Sequence, residues 1–131
     1  MRTIALLAAL GTLVWAGTSA ASTSNDQTTA GRGAIARFES YLESYPDSPS
    51  RAEVLFTLGQ LYEEAETGAA MDATGLAGET PNAIGHPGAI RCYTAVADSY
   101  PEFAERPACL YRLGFVLIDA GEQERAAQRL R

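Results

Sequence analysis

The sequence predicts an all-helical protein made of short antiparallel helix pairs, and three observations support this prediction. Apolar residues recur at three- and four-residue spacing through most of the chain, as they do on the buried face of a helix. Proline- and glycine-containing turns interrupt these stretches at intervals suited to helices of roughly 8–20 residues. The segment around Tyr45-Pro46 recurs 55 residues later around Tyr100-Pro101, and an internal repeat of this kind indicates stacked similar units.

The first 20 residues have the organisation of a secretory signal peptide. Arg2 is followed by the uncharged apolar run 4–15 (IALLAALGTLVW) and then by small residues as far as Ala21. A membrane-spanning helix needs roughly 20 apolar residues, so we expect cleavage after Ala20 or Ala21 and no stable membrane insertion. An uncleaved anchor and a buried core helix are the alternatives. No cysteine lies near the cleavage site, so the mature protein is expected to be soluble, without a lipid anchor, and periplasmic or secreted.

Helical periodicity begins only after a polar segment. Residues 21–32 are small and polar and predict a flexible leader. Pro46 ends the first periodic stretch, and the Ser50/Glu53 pair has the spacing of a capping box that starts the next one. A Gly-, Ala- and Thr-rich segment at about 67–87 has no period and predicts an inserted loop, either tolerated or used for binding. The predicted helices are 34–45, 50–67, 89–100, 105–120 and 122–131.

Composition and motifs favour no catalytic, metal or nucleic-acid chemistry. The formal net charge is -6, and an acidic chain repels phosphate backbones. His86 is the one histidine, it lies in the predicted loop, and we expect it to be exposed to solvent. The acidic residues near this loop are expected to be ordinary solvated carboxylates, and they are Glu63, Glu64, Glu66 and Asp72. We therefore predict no enzyme activity, no cofactor and no metal.

Cys92 and Cys109 are predicted to be free although an exported protein could oxidise them. They lie on adjacent predicted antiparallel helices, at positions about six residues apart along the axis, which is roughly 9 Å. A disulfide requires Cα atoms within about 7 Å. Two buried thiols are therefore expected.

The internal repeat extends well beyond the two Tyr-Pro turns. A shift of 55 residues also aligns Arg51 with Arg106, Leu55 with Leu110, Leu58-Gly59 with Leu113-Gly114, and Ala65 with Ala120.

These residues resemble the tetratricopeptide repeat (TPR) family, whose 34-residue unit is a pair of antiparallel helices. An 18-residue insertion between the two helices, with three additional residues after the proline, accounts for the 55-residue period. The residues that match the packing signature of the family are Ala34, Phe38, Pro46, Gly59, Ala89, Tyr93, Pro101, Gly114, Ala126 and Leu130.

The resemblance implies a short TPR-like solenoid over residues 33–131, with a concave groove lined by the first helix of each pair. The groove positions are Glu53, Phe56, Gln60 and Glu63 in one pair, and Ala108, Tyr111, Phe115 and Ile118 in the next. Phe56, Tyr111 and Phe115 are then expected to be exposed apolar anchors for a peptide. Burial of these rings under a further helix of a longer protein is the alternative.

The turn YPDSPSRAE is most similar to periplasmic members of the family, which act in cell division and outer-membrane assembly. The resemblance implies a non-catalytic scaffold of the bacterial cell envelope that binds a protein or peptide partner. Because the last helix ends within the pattern and lacks a polar capping helix, truncation at the C-terminus is expected. A truncated helical appendage of a larger envelope protein or enzyme is the alternative function.

Overall fold

The computed structural model describes residues 21–75 and 85–131. Within these ranges the chain is helical and contains no strand, which confirms the predicted all-α class. The helices are α1 (Ala21–Ser44), α2 (Arg51–Gly75), α3 (Pro87–Ser99), α4 (Arg106–Asp119) and α5 (Gln123–Arg129). The predicted signal peptide at 1–20, and residues 76–84 of the predicted loop, lie outside the described residues.

Two predicted irregular segments are helical, so the sequence interpretation was wrong there. Residues 21–32, predicted as a flexible leader, form the first half of α1. Residues 67–75, predicted as the start of the loop, continue α2. Neither segment contains a proline, and extending an existing helix adds one hydrogen bond for each residue fixed. Small residues therefore continue these helices even where the apolar period has faded.

Each helix packs against the next one along the chain, from α1 to α5. The core lies around α3, between α2 and α4, and is mostly aliphatic with one tyrosine. Its buried members are Leu55, Ala89, Tyr93, Val96, Ala97, Cys109, Leu113, Val116, Leu117 and Ala126. The apolar periods found in the sequence therefore form the faces that meet in this core.

The internal repeat is also present in the hydrogen bonds of the two turns. Each of four backbone bonds around the α1–α2 turn has a counterpart 55 residues later around the α3–α4 turn. The pairs, written as N–H donor to carbonyl acceptor, are Tyr45→Tyr41 and Tyr100→Val96, Ser48→Tyr45 and Phe103→Tyr100, Arg51→Ser48 and Arg106→Phe103, and Val54→Ser50 and Cys109→Glu105.

Two arginines stabilise these turns in the same way. Arg51 Nη1 donates to the carbonyl of Leu42 at 2.8 Å. Arg106 donates to the carbonyl of Ala97 through Nε at 3.2 Å and Nη2 at 3.1 Å. Both acceptors lie in the last turn of the preceding helix, where carbonyls lack helical partners. The arginine thus joins consecutive helices at the same place in each repeat.

Candidate functional site

The groove positions of α4 form an exposed apolar stripe. Tyr111 is 71% exposed, Phe115 is 56% exposed and Ile118 is 53% exposed. They are spaced at i, i+4 and i+7, so they lie on one face of the helix. The α4 stripe, defined as these three residues, is an unusual concentration of large apolar side chains on a surface otherwise rich in charge.

The groove positions of α2 are more polar and more buried than those of α4. Glu53 is exposed, whereas Gln60 and Glu63 are half-buried. Phe56 is half-buried as well, so the prediction that it is an exposed anchor is wrong. Its ring packs 6.0 Å from the ring of Tyr93 and 6.0 Å from that of Phe103, distances typical of favourable aromatic pairs.

A hydrogen-bonded network around Glu63 joins α2, α3 and α4. Tyr93 Oη donates to Glu63 Oε2 at 2.8 Å, and Arg112 Nη1 donates to the same oxygen at 3.0 Å. Burial, and then the Glu63 carboxylate, raise the pKa of the Tyr93 hydroxyl. The phenol therefore remains a neutral donor, and Glu63 is committed to holding the helices together.

A concavity of about 380 Å³ lies between α2 and α4 beside this network. It is lined by Glu63, Ala108, Tyr111, Arg112 and Phe115. The structure thus places the α4 stripe along the edge of a cleft whose polar end is the Glu63–Arg112 ion pair. This arrangement can accept an apolar side chain next to a hydrogen-bonding or charged group.

The signature glycines lie where neighbouring helices come close. A Cβ atom on Gly59 would be 2.5 Å from Cε1 of Tyr93, and one on Gly114 would be 3.0 Å from Cδ1 of Leu130. Of the other signature residues, Ala89 and Ala126 are buried, Ala34 and Phe38 are half-buried, and Pro46 and Pro101 are exposed in the turns. Leu130 itself is 56% exposed.

His86 is buried, which contradicts the prediction of an exposed loop residue. It is 1% exposed, and its Nε2 lies 2.9 Å from Oδ2 of Asp119. Its Nδ1 has no hydrogen-bond partner and lies 3.8 Å from Glu66 Oε2. The backbone has φ 42° and ψ 41°, a left-handed conformation that costs energy in a residue other than glycine.

Glu66 holds the start of α3 against α2 and is not a freely solvated carboxylate. It accepts from the backbone N–H of Gly88 at 2.7 Å and lies 3.4 Å from that of Ala89. A carboxylate at a helix N-terminus satisfies unpaired N–H groups and interacts favourably with the helix dipole. One local signal could have indicated this site: Pro87 is well suited to the first position of a helix, which makes His86 its N-cap.

Cys92 and Cys109 are both free and buried. The Cys109 thiol donates to the carbonyl of Tyr93 at 3.4 Å. Burial raises the pKa of Cys109 to about 11 and raises that of Cys92 as well. Both side chains therefore act as small apolar groups with low reactivity.

Comparison with protein families, curated proteins and solved structures gives no match to this chain. Within the described residues, no group of three or more His, Cys, Asp or Glu side chains is arranged to hold a metal ion. None of the described helices is both long enough and apolar enough to cross a bilayer.

Proposed function

We propose that this chain is a non-catalytic interaction protein of the bacterial cell envelope, and that it binds a protein or peptide partner in the cleft between α2 and α4. The observation that carries the proposal is the exposure of the α4 stripe. Three large apolar side chains on one helix face leave a surface that association with a partner would remove from water. Aromatic residues at the edge of a cleft are also typical of residues that dominate binding energy.

The geometry of the two turns supports the further proposal that the helices form a TPR-type solenoid. The turns share four backbone hydrogen bonds and an arginine at equivalent places. Gly59 and Gly114 face Tyr93 and Leu130, the residues at the large apolar position of the family signature. In such a solenoid α2 and α4 line the concave side, and the α4 stripe faces the partner.

Export is proposed on the sequence of residues 1–20 alone. Mass spectrometry of the mature N-terminus tests it directly, with a start at Ala21 or Ser22 expected. A protein that retains Met1 in the cytosolic fraction would contradict it.

The binding proposal is tested by affinity capture from an envelope extract with matched variants of residues 21–131. Tyr111→Ser combined with Phe115→Ser removes the two aromatic groups of the stripe. Ala127→Ser changes an exposed residue of α5 and serves as the control. We expect a partner captured by the unmodified chain and by the control but lost with the double variant, while circular dichroism shows that all three remain folded. Capture of the same proteins by all three would refute binding at the stripe.

A further inference from the structure

The two groove stripes are related by the 55-residue repeat but differ in chemistry. Gln60 of α2 corresponds to Phe115 of α4, and Glu63 corresponds to Ile118. The α2 side is therefore polar and acidic, whereas the α4 side is apolar and exposed. A ligand that fills the cleft meets two walls of different character at the same time.

The charges around the cleft are predominantly negative. Arg112 is the cation that lines it, and this guanidinium is already bonded to Glu63. Arg51 and Arg106 are engaged by backbone carbonyls at the helix starts. Glu53 is exposed, and no ion pair to it occurs among the described residues.

A carboxylate also lies at the other end of α4. The side chain of Asp119 is 41% exposed while it accepts from His86, and it follows Ile118 directly. The α4 stripe is thus bordered by Glu53 near its start and Asp119 near its end. The whole chain adds to this local field with a net charge of -6.

We infer that the cleft selects a cationic amphipathic helix as its partner, an inference that rests on the proposed function. The apolar face of such a helix covers Tyr111, Phe115 and Ile118, and its Lys or Arg side chains reach Glu53 at one end and Asp119 at the other. The α4 stripe covers i, i+4 and i+7, which matches the apolar spacing of a partner helix laid along it. Electrostatic complementarity of this kind sets which partner binds and how fast it associates.

The test uses two synthetic peptides of about 14 residues, the length of α4. Both carry Leu at i, i+4, i+7 and i+11 in an Ala background, and the remaining polar positions are Lys in one peptide and Glu in the other. Dissociation constants come from fluorescence anisotropy at low and at physiological ionic strength, and the site comes from amide chemical shifts. We expect the Lys peptide to bind at least about tenfold more tightly, to shift α4 amides, and to weaken as salt increases.

Two variants locate the effect. Phe115→Ala removes an apolar anchor and should weaken the Lys peptide about tenfold. Glu53→Lys reverses the charge beside the stripe and should weaken it about fivefold, because it converts an exposed attraction into a repulsion. Glu124→Lys makes the same charge change at an exposed position on α5, and it should change binding by less than about twofold.

The outcomes separate this inference from the proposed function. Equal binding of both peptides at α4, or tighter binding of the Glu peptide, would overturn the charge preference and leave peptide binding by the cleft intact. Equal weakening by Glu53→Lys and Glu124→Lys would attribute the attraction to net charge and also overturn it. Absence of any α4 shift with either peptide would overturn it as well, and the proposed function would then depend on affinity capture.

Discussion

Alanine substitutions at two glycines of α2 test how closely α2 approaches α3. A Cβ atom on Gly59 would lie 2.5 Å from Cε1 and 2.7 Å from Cδ1 of Tyr93, whereas one on Gly68 would have no heavy atom within 4 Å. Tyr93 is fully buried, and its hydroxyl is bonded to Glu63. The ring therefore has no empty space to move into, and Gly59→Ala must displace either the ring or the helix.

The comparison isolates the packing cost. Both substitutions gain the helix propensity of alanine over glycine, about 0.8–1.0 kcal/mol, so this gain cancels in the difference between them. Overpacking of a core typically costs about 1–3 kcal/mol. We therefore expect Gly68→Ala to be stabilising and Gly59→Ala to be about 1–3 kcal/mol less stable than Gly68→Ala. For a domain near 100 residues this corresponds to a difference in Tm of roughly 4–20 °C.

Gly114→Ala extends the test to the equivalent position of the next repeat. Its Cβ atom would be 3.0 Å from Cδ1 of Leu130, and that side chain is 56% exposed and can move into solvent. We expect its stability to lie between the other two. Urea denaturation monitored by circular dichroism gives all three free energies of unfolding. Equal stability of Gly59→Ala and Gly68→Ala would refute the close packing of α2 on Tyr93.

Three further predictions concern single interactions. His86→Ala removes the donor to Asp119, so we expect urea denaturation to show a loss of about 1–3 kcal/mol; His86→Asn, which tolerates the left-handed backbone, should lose less. Arg106→Met leaves the carbonyl of Ala97 without its charged donor, and a similar loss should be visible by thermal denaturation. Burial raises the pKa of Cys109 from 9.0 to about 11, so the unfolded chain loses this proton first. Stability should be full below about pH 9 and fall by up to about 2–3 kcal/mol as the pH rises to about 11; a Cys109→Ala variant with an unchanged pH profile would contradict this.

The turns could be predicted from sequence because their signals are local. Pro46 and Pro101 restrict the residues before them, and a recurring pattern of turn residues fixes where consecutive helices meet. Helix extension was harder to predict, because the small residues of 21–32 and 67–75 neither stop a helix nor supply an apolar face. Periodicity locates the packed part of a helix, and the ends beyond it depend on the absence of a breaker.

The site was only partly predictable because exposure depends on which helices come together. The α4 stripe has the predicted exposure, but Phe56 is covered by Phe103 from a turn that lies 47 positions later in the chain. His86 has a polar sequence environment, yet Asp119 and Glu66 reach it from two other helices. Neither contact leaves a sign in the residues adjacent to Phe56 or His86.

The comparison of equivalent positions separates the scaffold from the surface that can vary. Arg51 and Arg106 make the same bond in both repeats, and the turn hydrogen bonds match one for one. These positions maintain the angle between helix pairs, so a change there alters the scaffold whatever the chain binds. Gln60 and Phe115 occupy equivalent positions as well, but one is polar and half-buried while the other is apolar and exposed. A difference at a position that the scaffold does not constrain is where selection by a partner acts most freely, so specificity is expected to reside in the side chains facing the cleft.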